Sequence, residues 1–140
     1  MRSLGLDVGD RRIGVAMSDP EEILASPVDT ITRDSDEQAI DAILELVKKY
    51  EVQCIVVGLP YSLDGSIGVQ ASKVIGFVEK LSKCTETSIE TRDERLSTVA
   101  AERLLAEAST KKKATKSRSD AAAAAFILQG YLDSLKVWDQ

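Results

Sequence analysis

A carboxylate stands in the middle of the most strand-prone stretch of this chain. Leu4-Gly5-Leu6-Asp7-Val8 runs into Gly9-Asp10-Arg11, and Arg12-Ile13-Gly14-Val15-Ala16 follows. Aliphatic and β-branched residues on both sides of a glycine break read as an antiparallel hairpin with strands at 2–8 and 12–18. Asp7 then sits in a strand that otherwise reads as buried. A carboxylate there is costly unless a metal ion or strong donors compensate it. The alternative is a surface Asp that happens to precede a turn.

The rest of the chain limits how that hairpin can be used. Pro27 to Arg33, with Val28 and Ile31 apolar, reads as a third strand. Ser35-Asp36-Glu37-Gln38 is a capping box for a helix over about 36–50, with Ile40, Ile43, Leu44 and Val47 at helical spacing. Gln53 to Gly58 is a short continuous apolar run, the pattern of a central strand covered on both faces. Gly58-Leu59-Pro60 turns the chain into a polar loop, Tyr61 to Gly68. A second helix follows over about 69–83, with Val69, Val74, Val78 and Leu81 inward. Ser88 to Thr91 suggests a short strand, and 97–108 a third helix with Val99, Ala100 and Leu104 inward. After a basic segment at 109–118, a last helix at about 119–135 carries Ala121, Ala124, Ala125, Leu128, Leu132 and Leu135. A meander followed by βαβ units implies a single α/β domain over 1–140. Its mixed five-stranded sheet has antiparallel and parallel strands, with helices on both faces.

Composition removes several chemistries. The chain has no histidine, which excludes Ser-His-Asp and Cys-His nucleophilic schemes and argues against a zinc site. Cys54 and Cys84 are far apart without a CxxC spacing, so both are expected as reduced thiols. No apolar run reaches the roughly 18–20 residues that span a bilayer, and the chain opens on a strand pattern; no membrane association and a cytoplasmic site are expected. The formal charge of −5 disfavours a general nucleic-acid binder, yet Lys111, Lys112, Lys113, Lys116 and Arg118 form a run without an acid. That run is either a solvated loop or a dock for a phosphate backbone.

Acids recur where element ends can converge: Asp7 on the first strand, Asp93 and Glu94 after the last, and Asp120 at the final helix. Separate carboxylates gathered by folding are what Mg²⁺ or Mn²⁺ takes, since these ions bind oxygen and keep waters that become nucleophiles. Each acid also has an ordinary explanation. Asp120 can serve the N-terminus of its helix within Ser117-Arg118-Ser119-Asp120, and Asp93 or Glu94 can pair with Arg92 or Arg95.

Four blocks carry a resemblance: Leu6 to Ala16; Gly58-Leu59-Pro60 with Asp64-Gly65; Asp93-Glu94-Arg95-Leu96; and Asp120 to Ala124 with Ile127-Leu128-Gln129. In this order, across nearly the whole chain, they resemble the YqgF family, also called RuvX. Its members are described both as Holliday junction resolvases and as nucleases for the 5′ end of pre-16S rRNA. Leu63 and Ser97 stand where the family often has Met and Thr. The resemblance implies an RNase H-like fold and Mg²⁺- or Mn²⁺-dependent phosphodiester hydrolysis. Asp7, Asp120 and one acid of the Asp93-Glu94 pair would be the ligands; adjacent strand residues face opposite ways, so both acids of the pair are not expected to ligate, and Glu94 is favoured over Asp93.

Beside these acids, Arg11 and Arg12 follow the turn, and a substrate phosphate or, for Arg12, a structural ion pair would employ them. Tyr61 would stack on a base, and the lysine run would track a backbone beside Asp120. The expected partner is nucleic acid, either structured pre-rRNA or a four-way DNA junction. No dimer face is legible, which leaves a monomer or a weak homodimer. Two other readings stand beside this one: a non-catalytic nucleic-acid-binding or ribosome-assembly factor, and a phosphate binder like the Asp-x-Gly hairpin of actin-like ATPases.

Overall fold

The computed structural model describes residues 2–59, 68–93 and 116–138. The hairpin forms as expected from β1 (Arg2–Val8) and β2 (Arg12–Ser18), paired antiparallel. In its turn the Gly9 N–H donates to the Arg12 carbonyl at 2.9 Å. A Cβ on Gly9 would lie 2.7 Å from that same oxygen, so the turn closes only around a glycine. β3 (Ala25–Thr32) pairs antiparallel with β2, and α1 (Asp36–Tyr50) leads to β4 (Val52–Leu59), which runs parallel to β1. α2 (Val69–Ser82) leads to β5 (Ser88–Asp93), parallel to β4, and α3 (Lys116–Trp138) ends the described chain. The sheet order is β3-β2-β1-β4-β5, the expected mixed five-stranded arrangement.

Side-chain size divides the two faces of the hairpin. Strand residues alternate between faces. Leu4, Leu6, Val8, Ile13, Val15 and Met17 all fall on one face, where they pack with Ile40 and Ile43 of α1 and Val74, Phe77 and Leu81 of α2. On the other face stand Gly5, Gly14 and Ala16, and there Ala16, Cys54 and Val56 pack with Ala124, Ile127, Leu128 and Leu132 of α3. The bulky face keeps helices at ordinary distance, whereas the small face admits a helix backbone. A Cβ on Gly5 would lie 2.7 Å from Leu128 Cβ, and one on Gly14 only 1.9 Å from the Asp120 carbonyl oxygen. Asp7 shares the parity of Gly5 and pairs with Gly14, which puts it on the α3 face.

Several expectations shift in detail. The capping box forms: the Gln38 N–H donates to Ser35 Oγ at 3.1 Å, while Gln38 Oε1 accepts from Asp34 N–H at 3.0 Å. Val69 is 76% exposed rather than inward, whereas Val74 and Leu81 are buried as expected, together with Ala71 and Phe77. Residues two apart differ by about 200° around a helix, so seating Ala71 turns Val69 outward. β3 begins at Ala25, and as the sheet's edge strand it leaves Val28 exposed while Ile31 enters the core. The last helix begins at Lys116, so Asp120 lies within the helix instead of opening it. No Gly or Pro stands between Lys116 and Ala121 to stop the helix from extending back from its packed portion. Cys54 is buried and Cys84 exposed, and both are free thiols. The expected helix at 97–108 lies outside the described residues.

Gly14→Ala should lower the unfolding free energy by about 3 kcal/mol through overpacking against α3. A Cβ on Gly76 would meet nothing within 4 Å, so Gly76→Ala should instead stabilise by up to about 1 kcal/mol through helix propensity. Urea denaturation reads both, and coincident midpoints for the two variants would contradict this packing.

Candidate active site

The close seat of α3 on the hairpin creates the site. Asp7 pairs with Gly14, and the Asp120 carbonyl occupies the space above Gly14 that a side chain would need. Two carboxylates 113 residues apart in sequence (120 minus 7) are thereby brought close enough to repel. Arg12, two residues before Gly14, completes the group. Its Nε donates to Asp120 Oδ2 at 3.0 Å. The pair is partly exposed, so it orients Asp120 more than it stabilises the fold.

Asp7 is only partly accessible, and its pKa is pushed up from 3.8 to about 6. Burial is the larger cause and the negative charge of Asp120 the second, both acting in the same direction. Such an oxygen pair, poorly solvated and mutually repelling, suits a hard divalent cation. Among the described residues Asp7 and Asp120 are the two acids that meet there, and no group of three or more Cys, Asp or Glu converges.

The other expected residues fall in different places. Arg12 makes an ion pair rather than standing free. Arg11 is exposed in the turn, its carbonyl accepting from the Arg33 N–H at 2.8 Å. Asp93 ends β5 as the register partner of Leu59. Lys116 and Arg118 belong to the start of α3. Glu94, Tyr61, Lys111, Lys112 and Lys113 lie outside the described residues.

Two arginines take places that the sequence reading did not give them. Arg92 lies on the α3 face with its Nε 3.1 Å from where a Gly130 Cβ would stand, so the mid-helix glycine makes room for it. Arg33 donates from Nη1 to the Gly9 carbonyl at 2.8 Å. Its position just before an acidic helix start was a local sign of the Asp36 pair, but nothing local announced Gly9.

Known proteins resemble this chain in sequence and in fold. A family model described as "RuvX: Holliday junction resolvase" matches residues 1–134. A protein of Desulforamulus reducens named "Putative pre-16S rRNA nuclease" is 46% identical over 134 residues, covering 96% of this chain and 98% of its own. One of Clostridium acetobutylicum with the same name is 47% identical over 135 residues, covering 96% and 100%. Among solved structures, T. thermophilus RuvC in complex with a Holliday junction substrate superposes with a TM-score of 0.64 at 12% identity. It covers 97% of this chain and 96% of its own. The Fowlpox virus resolvase, also in a Holliday junction complex, superposes with a TM-score of 0.60 at 12% identity, covering 96% and 99%. The fold is thus the RNase H-like fold of the RuvC resolvases.

Because the folded pKa of Asp7 lies above its ordinary value, the fold favours the protonated form. The penalty for ionising Asp7 is absent below about pH 4, grows between pH 4 and 6, and is complete above pH 6, at about 3 kcal/mol. In EDTA, Asp7→Asn should therefore stabilise the protein at pH 8 by about 2–3 kcal/mol and change little at pH 4. Urea denaturation at the two pH values measures the difference, and a destabilised variant at pH 8 would contradict the raised pKa.

Proposed function

Since this chain belongs to the RuvX family and is a phosphodiester hydrolase, we propose that it cuts nucleic acid at the Asp7–Asp120 site with Mg²⁺ or Mn²⁺, and that its substrate is the 5′ end of pre-16S rRNA. One observation carries the site: the carboxylate of Asp7 is partly buried within electrostatic reach of that of Asp120, which Arg12 holds at one oxygen. The substrate rests on the names of relatives that this chain matches over nearly its whole length. Such a substrate belongs in the cytoplasm.

Asp7 and Asp120 would hold the ion, with Glu94 as a third carboxylate. Glu94 rests on the family resemblance and lies outside the described residues. When bound, the ion supplies positive charge for activating water and for stabilising the leaving oxygen. Arg12 holds Asp120 by one carboxylate oxygen and offers its remaining N–H donors to a substrate phosphate. Arg11, exposed in the turn, Lys116 and Arg118 at the start of α3, and the Lys111, Lys112 and Lys113 run meet the backbone around it. Tyr61 supplies a stacking surface.

Junction cleavage is the second reading, favoured by the description of the family as Holliday junction resolvases. It calls for two sites acting on opposed strands and so for a symmetric dimer. Cleavage of a pre-16S fragment and of a four-way junction, compared side by side with the protein's mass on each substrate, separates the readings. Preferred cleavage of the RNA by a monomer is expected. Preferred junction cleavage by a dimer would replace that substrate, and tight binding without any cleavage would make the chain a binding factor.

Asp7→Asn and Asp120→Asn should each keep substrate binding and lower cleavage by at least about 100-fold, and EDTA should do the same to the unaltered protein. Full activity in either variant would remove the proposed site. Changing Lys111, Lys112 and Lys113 together to Ala should weaken binding and flatten its dependence on salt. An unchanged salt slope would show that the run does not touch phosphate.

A further inference from the structure

The backbone of the turn that joins Asp7 to Arg12 is held from outside the hairpin by the Arg33 side chain, while Lys73 of α2 makes an exposed ion pair with Asp10 at 3.7 Å. Arg33 follows β3, and its backbone N–H donates to the Arg11 carbonyl at 2.8 Å. Its guanidinium turns back under the same turn, and Nη1 donates to the Gly9 carbonyl at 2.8 Å. Together with the Gly9 N–H on the Arg12 carbonyl, these bonds engage the carbonyls of Gly9, Arg11 and Arg12.

The guanidinium is itself held on its other edge. Nε and Nη2 donate to Asp36 Oδ1 at 3.1 and 2.9 Å, while Lys80 Nζ donates to Asp36 Oδ2 at 2.6 Å. The plane lies over the Phe77 ring with Cζ 4.9 Å from the centroid. Arg33 is mostly buried, with its side chain 16% exposed. A planar fork with fixed donor directions can hold a carbonyl and a carboxylate at once while stacking on a ring, whereas an ammonium cannot.

We infer that Arg33 is a positioning residue: it transmits the rigid packing of α1 and α2 to the 9–12 turn and so fixes how Asp7 and Arg12 meet Asp120. The inference rests on the proposed metal-dependent site for its functional consequence, but its mechanical part stands alone. Asp7 lies two residues before the clamped Gly9, and Arg12 ends the clamped turn. Without the clamp, the turn keeps its internal hydrogen bond, the backbone bond from Arg33 and the exposed Asp10–Lys73 ion pair, whose 3.7 Å separation gives it little hold. Rigid support of this kind sets how well a site is organised for its ligand.

Arg33→Met keeps an unbranched chain over Phe77 and removes every side-chain hydrogen bond. Ile43→Val, a mild cut in the same core layer, controls for general loss of stability. In Arg33→Met the Gly9 amide should exchange with solvent at least about 10-fold faster than in Ile43→Val at equal denaturation free energy. Its Mn²⁺ dissociation constant, followed by electron paramagnetic resonance, should rise at least about 10-fold. Cleavage should lose turnover number with KM within about twofold, and Arg33→Lys should recover part of both.

Unchanged Gly9 exchange in Arg33→Met, or equal loss of Mn²⁺ affinity in Ile43→Val, would overturn the inference. If Arg33→Met does not fold, Asp36→Asn, which loosens the guanidinium from its other edge, must show the same ordering in smaller measure; identical behaviour to the unaltered protein would also overturn it. An unaltered protein that binds no Mn²⁺ would instead end the metal reading and leave the exchange result to judge Arg33.

Discussion

A helix backbone lying directly on a strand is the contact on which the rest of this molecule depends. The carbonyl of Asp120 takes the place of a side chain at position 14, and Gly14 is the strand partner of Asp7. That approach is possible because the hairpin puts its large residues on the α1–α2 face and its smallest on the α3 face. Neither Gly9 nor Gly14 adopts a left-handed conformation. What each contributes is the absence of a side chain where a backbone oxygen must pass. Any Cβ at position 14 would lift α3, carry Asp120 away from Asp7 and loosen the small-residue core with one change.

The same contact makes the site electrostatically uncomfortable. Asp7 loses water to α3 and gains a negative neighbour, and its pKa rises to about 6 in response. Arg12 relieves only the Asp120 side of this repulsion. A fold that keeps an acid in such a position spends stability on a charge arrangement that a bound cation would relieve. Sites that sacrifice stability in this way are where function tends to reside. The supports around it are correspondingly firm, with the turn held on Arg33 and Arg33 held between Asp36 and Phe77.

Local patterns were readable from the residues and distant partnerships were not. The hairpin, the capping box at Ser35 and the central strand through Cys54 each follow from a few neighbouring residues, and all three form. The helix frame at Val69 failed because a strand-like apolar residue at a helix start says nothing about which turn the core selects. The start of α3 failed because Ser117-Arg118-Ser119 resembles a cap yet contains nothing that breaks a helix. Asp7 and Asp120 were legible as candidates, one by its cost in a buried strand and both by family resemblance. Arg12 was left between a phosphate contact and an ion pair, because its partner lies 108 residues away. Arg33 was invisible as a clamp for the same reason: its acceptor on Gly9 is supplied by the fold, 24 residues back along the chain.

The central claim is that Asp7 and Asp120 share one divalent cation. A crystal of the protein grown with Mn²⁺ and measured at the manganese absorption edge tests it most directly. An anomalous peak within coordinating distance of both carboxylates, absent from a crystal of Asp7→Asn grown alongside, is the predicted result. A map without density between them, with the two side chains turned to separate partners, would contradict it.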